Sequence, residues 1–239
     1  MLRTPLFFIV VFLATLVSAF SVMLIGLFRR HSDAAYRYVF RPWARSIAWA
    51  AGVKVEVSGQ EHVEPNRAYV IISNHQSHMD VPVLGGYLPL KLTIIAKKEL
   101  FRIPIFSHGM RAFGILEIDR SNRTRAIHTL EQAAMILREK NTSVLTFPEG
   151  TRSADGRLQP FKKGPFALAS AHRFPILPVS VCGTFPILPK GKFWVKPGRV
   201  SLKIHPPLHP GEDGAGNREE LIERVHQTIA AGLYEHENA

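Results

Sequence analysis

From Leu6 to Phe28 the chain has no charged residue (LFFIVVFLATLVSAFSVMLIGLF). As a helix rising about 1.5 Å per residue, this run would be roughly 35 Å long, enough to cross a bilayer or lie deep in one. A signal peptide has a shorter apolar stretch ending in small residues, whereas this run leads into Arg29 and Arg30. A retained membrane anchor fits better than a cleaved leader or a buried core helix. Arg3 precedes the run, and Arg29, Arg30, Arg37, Arg41 and Arg45 follow it. If the helix spans, that asymmetry leaves everything after Phe28 in the cytoplasm. Residues 34–52 mix Tyr36, Tyr38, Phe40, Trp43, Ile47 and Trp49 with arginines at i, i+4 and i+8, a basic stripe suited to lipid headgroups. The same pattern fits an amphipathic helix covering a globular domain, and Pro42 should bend or interrupt it.

After Gly52 the periodicity shortens. Apolar, β-branched runs at 53–58, 68–73, 92–96, 115–118, 143–147, 176–182 and 200–205 predict seven strands. Between and after them lie helical patterns. In Arg123–Lys140, Ile127, Leu130, Ala134 and Leu137 share a face, and in Asn217–Tyr234, Leu221, Val225 and Ile229 do. Strands alternating with helices predict an α/β fold: a mixed, largely parallel sheet of about seven strands, flanked by helices on both faces. The expected organisation is an anchor in residues 1–52, one apolar helix or a helix pair, followed by a single catalytic domain in 53–239.

Composition narrows the function. Hydrophobic residues at 46% and charged ones at 21% exclude a disordered chain or a coiled coil. One cysteine, Cys182, excludes an internal disulfide framework and a cysteine-based zinc site. The net charge of +11 favours polyanionic partners. With an apolar anchor and no nucleic-acid recognition module, anionic lipid explains that charge better than nucleic acid.

Polar clusters follow the predicted strands, where open α/β sheets bind ligands. In Ser73-Asn74-His75-Gln76-Ser77-His78-Met79-Asp80, His75 and Asp80 can meet only if His75 lies in a turn and Asp80 in the first helical turn after it. A carboxylate holding one imidazole nitrogen leaves the other as a general base. Asp80 also stands where a capping-box acid would, three residues after Ser77, and His78 is a rival histidine. No partner at ligand spacing supports a metal site. Arg120, after Gly114–Asp119, and Arg152, in Phe147-Pro148-Glu149-Gly150-Thr151-Arg152-Ser153, each follow a strand, where guanidinium groups bind phosphate bidentately. Lys162 and Lys163 add cations nearby.

Asn74-His75-x-Ser77-x-x-Asp80, Gly114–Arg120, Phe147–Ser153 and Pro178-Val179, in this order, resemble the four motifs of the glycerolipid acyltransferase family, most closely its bacterial 1-acylglycerol-3-phosphate acyltransferases. The resemblance covers roughly residues 50–210. It implies a glycerol-3-phosphate acyltransferase-like fold and transfer of a fatty acyl group from acyl-CoA or acyl-acyl carrier protein to the sn-2 hydroxyl of lysophosphatidic acid. It implies His75 and Asp80 as the catalytic pair, with Asn74, Ser77, Arg120, Glu149, Gly150, Thr151, Arg152 and Lys162 binding substrate. No cofactor or metal is implied. Membrane lipids and acyl carrier protein are the implied partners, and the cytoplasmic face of the inner membrane is the implied location. An acyltransferase for another lyso-lipid, and a lipid hydrolase or transacylase, are the alternatives. Backbone N–H groups after His75 are expected to hold the oxyanion, and Arg120 and Arg152 to converge on the acceptor phosphate.

Overall fold

A computed structural model describes residues 3–26, 33–104, 106–211 and 217–237. Phe28, Arg29 and Arg30, invoked above for the end and orientation of the anchor, lie outside the described residues. The elements run α1 (Arg3–Gly26), α2 (Asp33–Ala35), a π-helical turn (Tyr36–Phe40), α3 (Arg41–Ala51), β1 (Val53–Ser58), β2 (Val70–Ser73), α4 (Asp80–Tyr87), β3 (Leu92–Lys97), α5 (Phe106–Phe113), β4 (Leu116–Ile118), α6 (Arg123–Glu139), β5 (Ser143–Thr146), α7 (Gly164–His172), β6 (Ile176–Cys182), β7 (Gly198–Ile204) and α8 (Arg218–Glu237), with short 3₁₀ turns between.

All seven expected strands form and join one sheet in the order β1-β7-β6-β2-β5-β3-β4. β6, β2, β5, β3 and β4 run parallel, and β7 meets β6 antiparallel and carries β1 parallel to itself. Every residue of β2, β5 and β6 is buried, as befits strands covered on both faces, whereas β7 alternates. The two-residue period of a strand sorts the core. Val70, Ile72, Val144 and Ile176 face α6, α7 and α8, while Ile71, Leu145 and Leu177 face α3, α4 and Phe7 of α1. The core therefore continues across residue 52. In α6 the buried face is Ala133, Ala134, Ile136 and Leu137, and Ile127, expected there, stands half exposed. Leu221, Val225 and Ile229 of α8 are buried as their spacing predicts.

The aromatic, basic segment folds onto the domain. Ala44, Ile47, Ala48 and Ala51, at helical spacing, bury against the core. Pro42 stands in the first turn of α3, just past a turn whose bonding has slipped to i→i+5: the Arg41 N–H donates to the Tyr36 carbonyl. Two arginines of the stripe turn inward. Arg41 Nη2 donates to the Leu88 carbonyl at 2.5 Å and Arg45 Nε to the Gly86 carbonyl at 2.9 Å, meeting the negative end of α4. Gly52, left-handed at φ +71°, ends α3.

α1 packs one stripe against this scaffold. Phe7, Ala19 and Val22 are buried, and Trp43 Nε1 of α3 donates to Thr15 Oγ1 at 3.1 Å. On its other side Phe8, Ile9, Phe12, Leu13, Leu16 and Phe20 are exposed.

Candidate active site

Because β2 to β6 run parallel, the segments leaving their C-terminal ends share one edge of the sheet. That shared edge gathers all four motifs, with the His75 turn in the middle.

His75 Nδ1 lies 2.7 Å from Asp80 Oδ2. The same oxygen accepts the N–H groups of Gln76 (2.7 Å) and Ser77 (2.8 Å), and Oδ1 accepts the Thr184 hydroxyl at 2.6 Å. A fully buried carboxylate facing donors on every side fixes Nδ1 as the protonated nitrogen of His75 and leaves Nε2 a lone pair. Capping and histidine-holding, alternatives on spacing alone, coexist at this one carboxylate. Phe147 stacks on the imidazole, ring centroids 4.0 Å apart and planes 16° from parallel, which sets the plane of the ring.

The third motif clamps the first. Glu149 Oε1 accepts the His75 N–H at 2.5 Å, Oε2 accepts the Gln159 N–H at 3.0 Å, and the Ser153 N–H donates to the His75 carbonyl at 2.8 Å. Burial pushes the Glu149 carboxyl up to about 7, against the two N–H donors that favour its charge. A folded value above the ordinary 4.5 means that this group's contribution to stability is complete below about pH 4.5 and is lost as pH rises through about 7. Glu149→Gln removes that titration. The melting temperature of the unchanged protein, relative to the variant, should therefore fall between pH 5 and 8; a constant difference across that window would contradict the coupling.

Asn74 and Ser77, implied as substrate ligands, are fully buried and bonded to backbone. Asn74 pairs with Val181 through both amide atoms, each at 2.8 Å, pinning the end of β2 to β6. Ser77 Oγ donates to the Leu188 carbonyl at 2.8 Å and accepts the Met79 N–H. Thr184 and Phe147 are the contacts on the pair that sequence reasoning did not assign. Thr184 lies two residues past the fourth motif's strand, and Phe147 opens the third motif.

The backbone amides after His75 are already engaged. Those of Gln76 and Ser77 serve Asp80, that of His78 donates to the Leu188 carbonyl and that of Met79 to Ser77 Oγ. The oxyanion site expected from those amides is therefore not available.

The cations gather around Gly150. Arg120 Nη1 donates to the Gly150 carbonyl at 2.5 Å. A Cβ on Gly150, at φ +76°, would sit 2.8 Å from both Arg120 Nη1 and Lys162 Nζ, so glycine lets the two cations close over the turn. Asp119 holds the base of Arg120's turn, accepting from Lys98 Nζ at 2.8 Å and from the Ser121 hydroxyl at 2.6 Å. Burial lowers the pKa of Arg120 and of Arg152 from the guanidinium's ordinary value. Arg152 also acts on His78, whose imidazole burial, Arg152 and His75 press down to about 4; it is neutral at pH 7. Thr151 is exposed and accepts from Lys190 Nζ at 3.3 Å.

These groups help line a cavity of about 610 Å³: His75, His78, Arg120, Gly150, Thr151 and Arg152. Much of the remaining lining is apolar, including Phe7, Val11 and Ala19 of α1, Phe40 and Trp43, and Met110 and Phe113 of α5. Glu149 and Asn74, both buried, and Lys162, which is exposed, do not line the cavity. A base beside a cationic pocket and an apolar slot can activate a hydroxyl on a phosphate-bearing lipid.

The sequence matches the Acyltransferase family over residues 54–182. The 1-acyl-sn-glycerol-3-phosphate acyltransferase of Limnanthes alba is 34% identical over 187 residues, which are 78% of this chain and 66% of that protein. The alpha form from Mus musculus is 35% identical over 158 residues, 66% of this chain and 55% of the mouse protein. The chain thus spans two thirds or less of the length of these relatives. The crystal structure of the 1-acyl-sn-glycerophosphate (LPA) acyltransferase PlsC from Thermotoga maritima matches with a TM-score of 0.85 at 29% identity, covering 100% of this chain and 96% of that one.

Proposed function

The chain belongs to the acyltransferase family, and from that membership we propose that it moves a fatty acyl group from an acyl thioester to the free sn-2 hydroxyl of 1-acylglycerol 3-phosphate, forming phosphatidic acid. One observation carries the reading: His75, held through Nδ1 by Asp80, lines a cavity that it shares with two guanidinium groups and with apolar side chains of α1, α3 and α5. Named relatives support the acceptor.

In this reaction His75 Nε2 takes the hydroxyl proton as the oxygen attacks the thioester carbonyl, and Asp80 stabilises the imidazolium. The tetrahedral intermediate then breaks its C–S bond, and the imidazolium returns the proton to the thiolate. A thioester is already activated, so neither an acyl-enzyme nor a cofactor is required. With the amides of residues 76–79 engaged, the oxyanion falls to a side-chain donor lining the cavity, neutral His78. Arg120 and Arg152 hold the acceptor phosphate. Glu149, Asn74 and Ser77 position the His75 turn, while Lys162 and Gly150 position Arg120. The donor is acyl-CoA or acyl-acyl carrier protein.

The exposed apolar side of α1 supports membrane association. Since its other side packs on α3 and α5, the helix enters lipid together with the domain's apolar end and does not cross alone. The cytoplasmic face of the inner membrane is the side that supplies water-soluble thioester donors.

Labelled acyl-CoA and lysophosphatidic acid should yield labelled phosphatidic acid; release of free fatty acid alone would assign a hydrolase. In the same assay Arg152→Lys should raise the acceptor KM about tenfold or more, since an ammonium cannot reproduce a bidentate guanidinium contact worth about 1.5–3 kcal/mol. The donor KM should hold. A raised donor KM with an unchanged acceptor KM would move Arg152 to the donor's phosphates.

A further inference from the structure

The connection from β6 to β7, residues 183–197, carries Lys190, Lys192 and Lys196 and no acidic residue. Its tip holds two large rings in water, Phe193 at 72% and Trp194 at 65% exposure. Adjacent exposed aromatics among lysines match the chemistry of the headgroup layer, where rings lie at the boundary and ammonium groups meet phosphates.

Contacts at both ends say where this tip sits. The Val195 N–H donates to Thr4 Oγ1 at 3.2 Å, in the first turn of α1, and Pro197 and the Arg3 guanidinium both lie against Gly52. The loop is therefore seated at the start of a helix whose Leu6, Phe8 and Ile9 are exposed. At its other end the Leu188 carbonyl accepts from Ser77 Oγ and the His78 N–H, Ser77 and Pro189 form a β-bridge, and Lys190 reaches Thr151. The loop joins the lipid-facing helix to the catalytic wall.

We propose that residues 190–196 form a second membrane contact, with Phe193 and Trp194 entering the headgroup layer of an anionic bilayer and Lys192 and Lys196 pairing with its phosphates. This contact would hold the wall bearing His78 and Thr151 at the lipid surface. The proposal rests on the membrane-associated reading of α1. Continuity with that apolar helix favours lipid over a soluble acidic partner.

The test uses the full chain in a Cys182→Ala background, with an environment-sensitive nitrobenzoxadiazole label on Phe193→Cys or, separately, Phe12→Cys. On vesicles with about 30% phosphatidylglycerol, the label at 193 should shift to the blue and lose most of its iodide quenching, as the label at 12 does. Lys192→Gln with Lys196→Gln should restore quenching at 193 several-fold, leave 12 protected, and leave turnover in detergent micelles within about twofold. A label at 193 that stays quenched while 12 is protected overturns the proposal. So does equal protection of 193 on neutral phosphatidylcholine vesicles. Quenching at both positions overturns the membrane reading of α1, and the loop contact with it.

Discussion

His75→Ala should lower acyl transfer by about two to four orders of magnitude, the scale of a lost general base. The fold should survive. The contacts that tie this residue to the third motif are backbone ones, its N–H to Glu149 and its carbonyl to Ser153, and alanine keeps both. The imidazole's own partners are Asp80 and Phe147, and Asp80 retains three other donors when the ring is gone. Turnover with labelled acyl-CoA, alongside a melting temperature within a few degrees of the unchanged protein, checks both halves. Activity within a few-fold of the original would hand the role to His78, whose imidazole also lines the cavity.

Asp80→Asn should cost about two orders of magnitude or more, and the geometry identifies the cause. In an isolated His–Asp pair, an amide could turn its NH₂ toward the ring and invert the tautomer. Here the N–H groups of Gln76 and Ser77 demand an acceptor at the Oδ2 position, so the asparagine carbonyl stays there and its NH₂ faces Thr184, whose hydroxyl can accept. Nδ1 keeps its proton, and only the charge that stabilises the imidazolium is lost. The variant should thus bind acceptor normally while kcat falls, and a neutral Thr184→Val change should affect stability more than kcat. Full activity in Asp80→Asn would reduce Asp80 to a cap on α4.

Much of this fold was legible because both periodicities were clean. Each apolar run of four to seven residues became a strand, and Leu221, Val225 and Ile229 marked the buried face of α8 without ambiguity. Periodicity names a face but not its neighbour. Hence Ile127 turned out half exposed, because α6 buries alanines against the sheet, and Arg41 and Arg45 turned from lipid to the carbonyls closing α4. The residue types and order of the His75–Asp80 turn were readable, but the surrounding hydrogen bonds were not. Thr184 reaches Asp80 across 104 positions of sequence, and no local pattern marks a hydroxyl at that separation. The same limit explains the amides after His75: their availability depends on Leu188 and on the carboxylate they surround.

The strand order also bears on how the enzyme is born. β2, which ends in the His75 turn, lies between β5 and β6, and the edge pairing joins Val53 to Gly198. A ribosome releases α1 and the His75 turn early, long before the strands that flank them. Pairings this distant in sequence form slowly, since the intervening chain must be brought together first. The apolar helix can therefore reach lipid while the His75 turn still lacks the strands that flank it. If α1 enters lipid as proposed, the nascent chain is tethered at the membrane before its site is complete, and the donors around Asp80 are all in place only once Thr184, two residues past β6, has arrived.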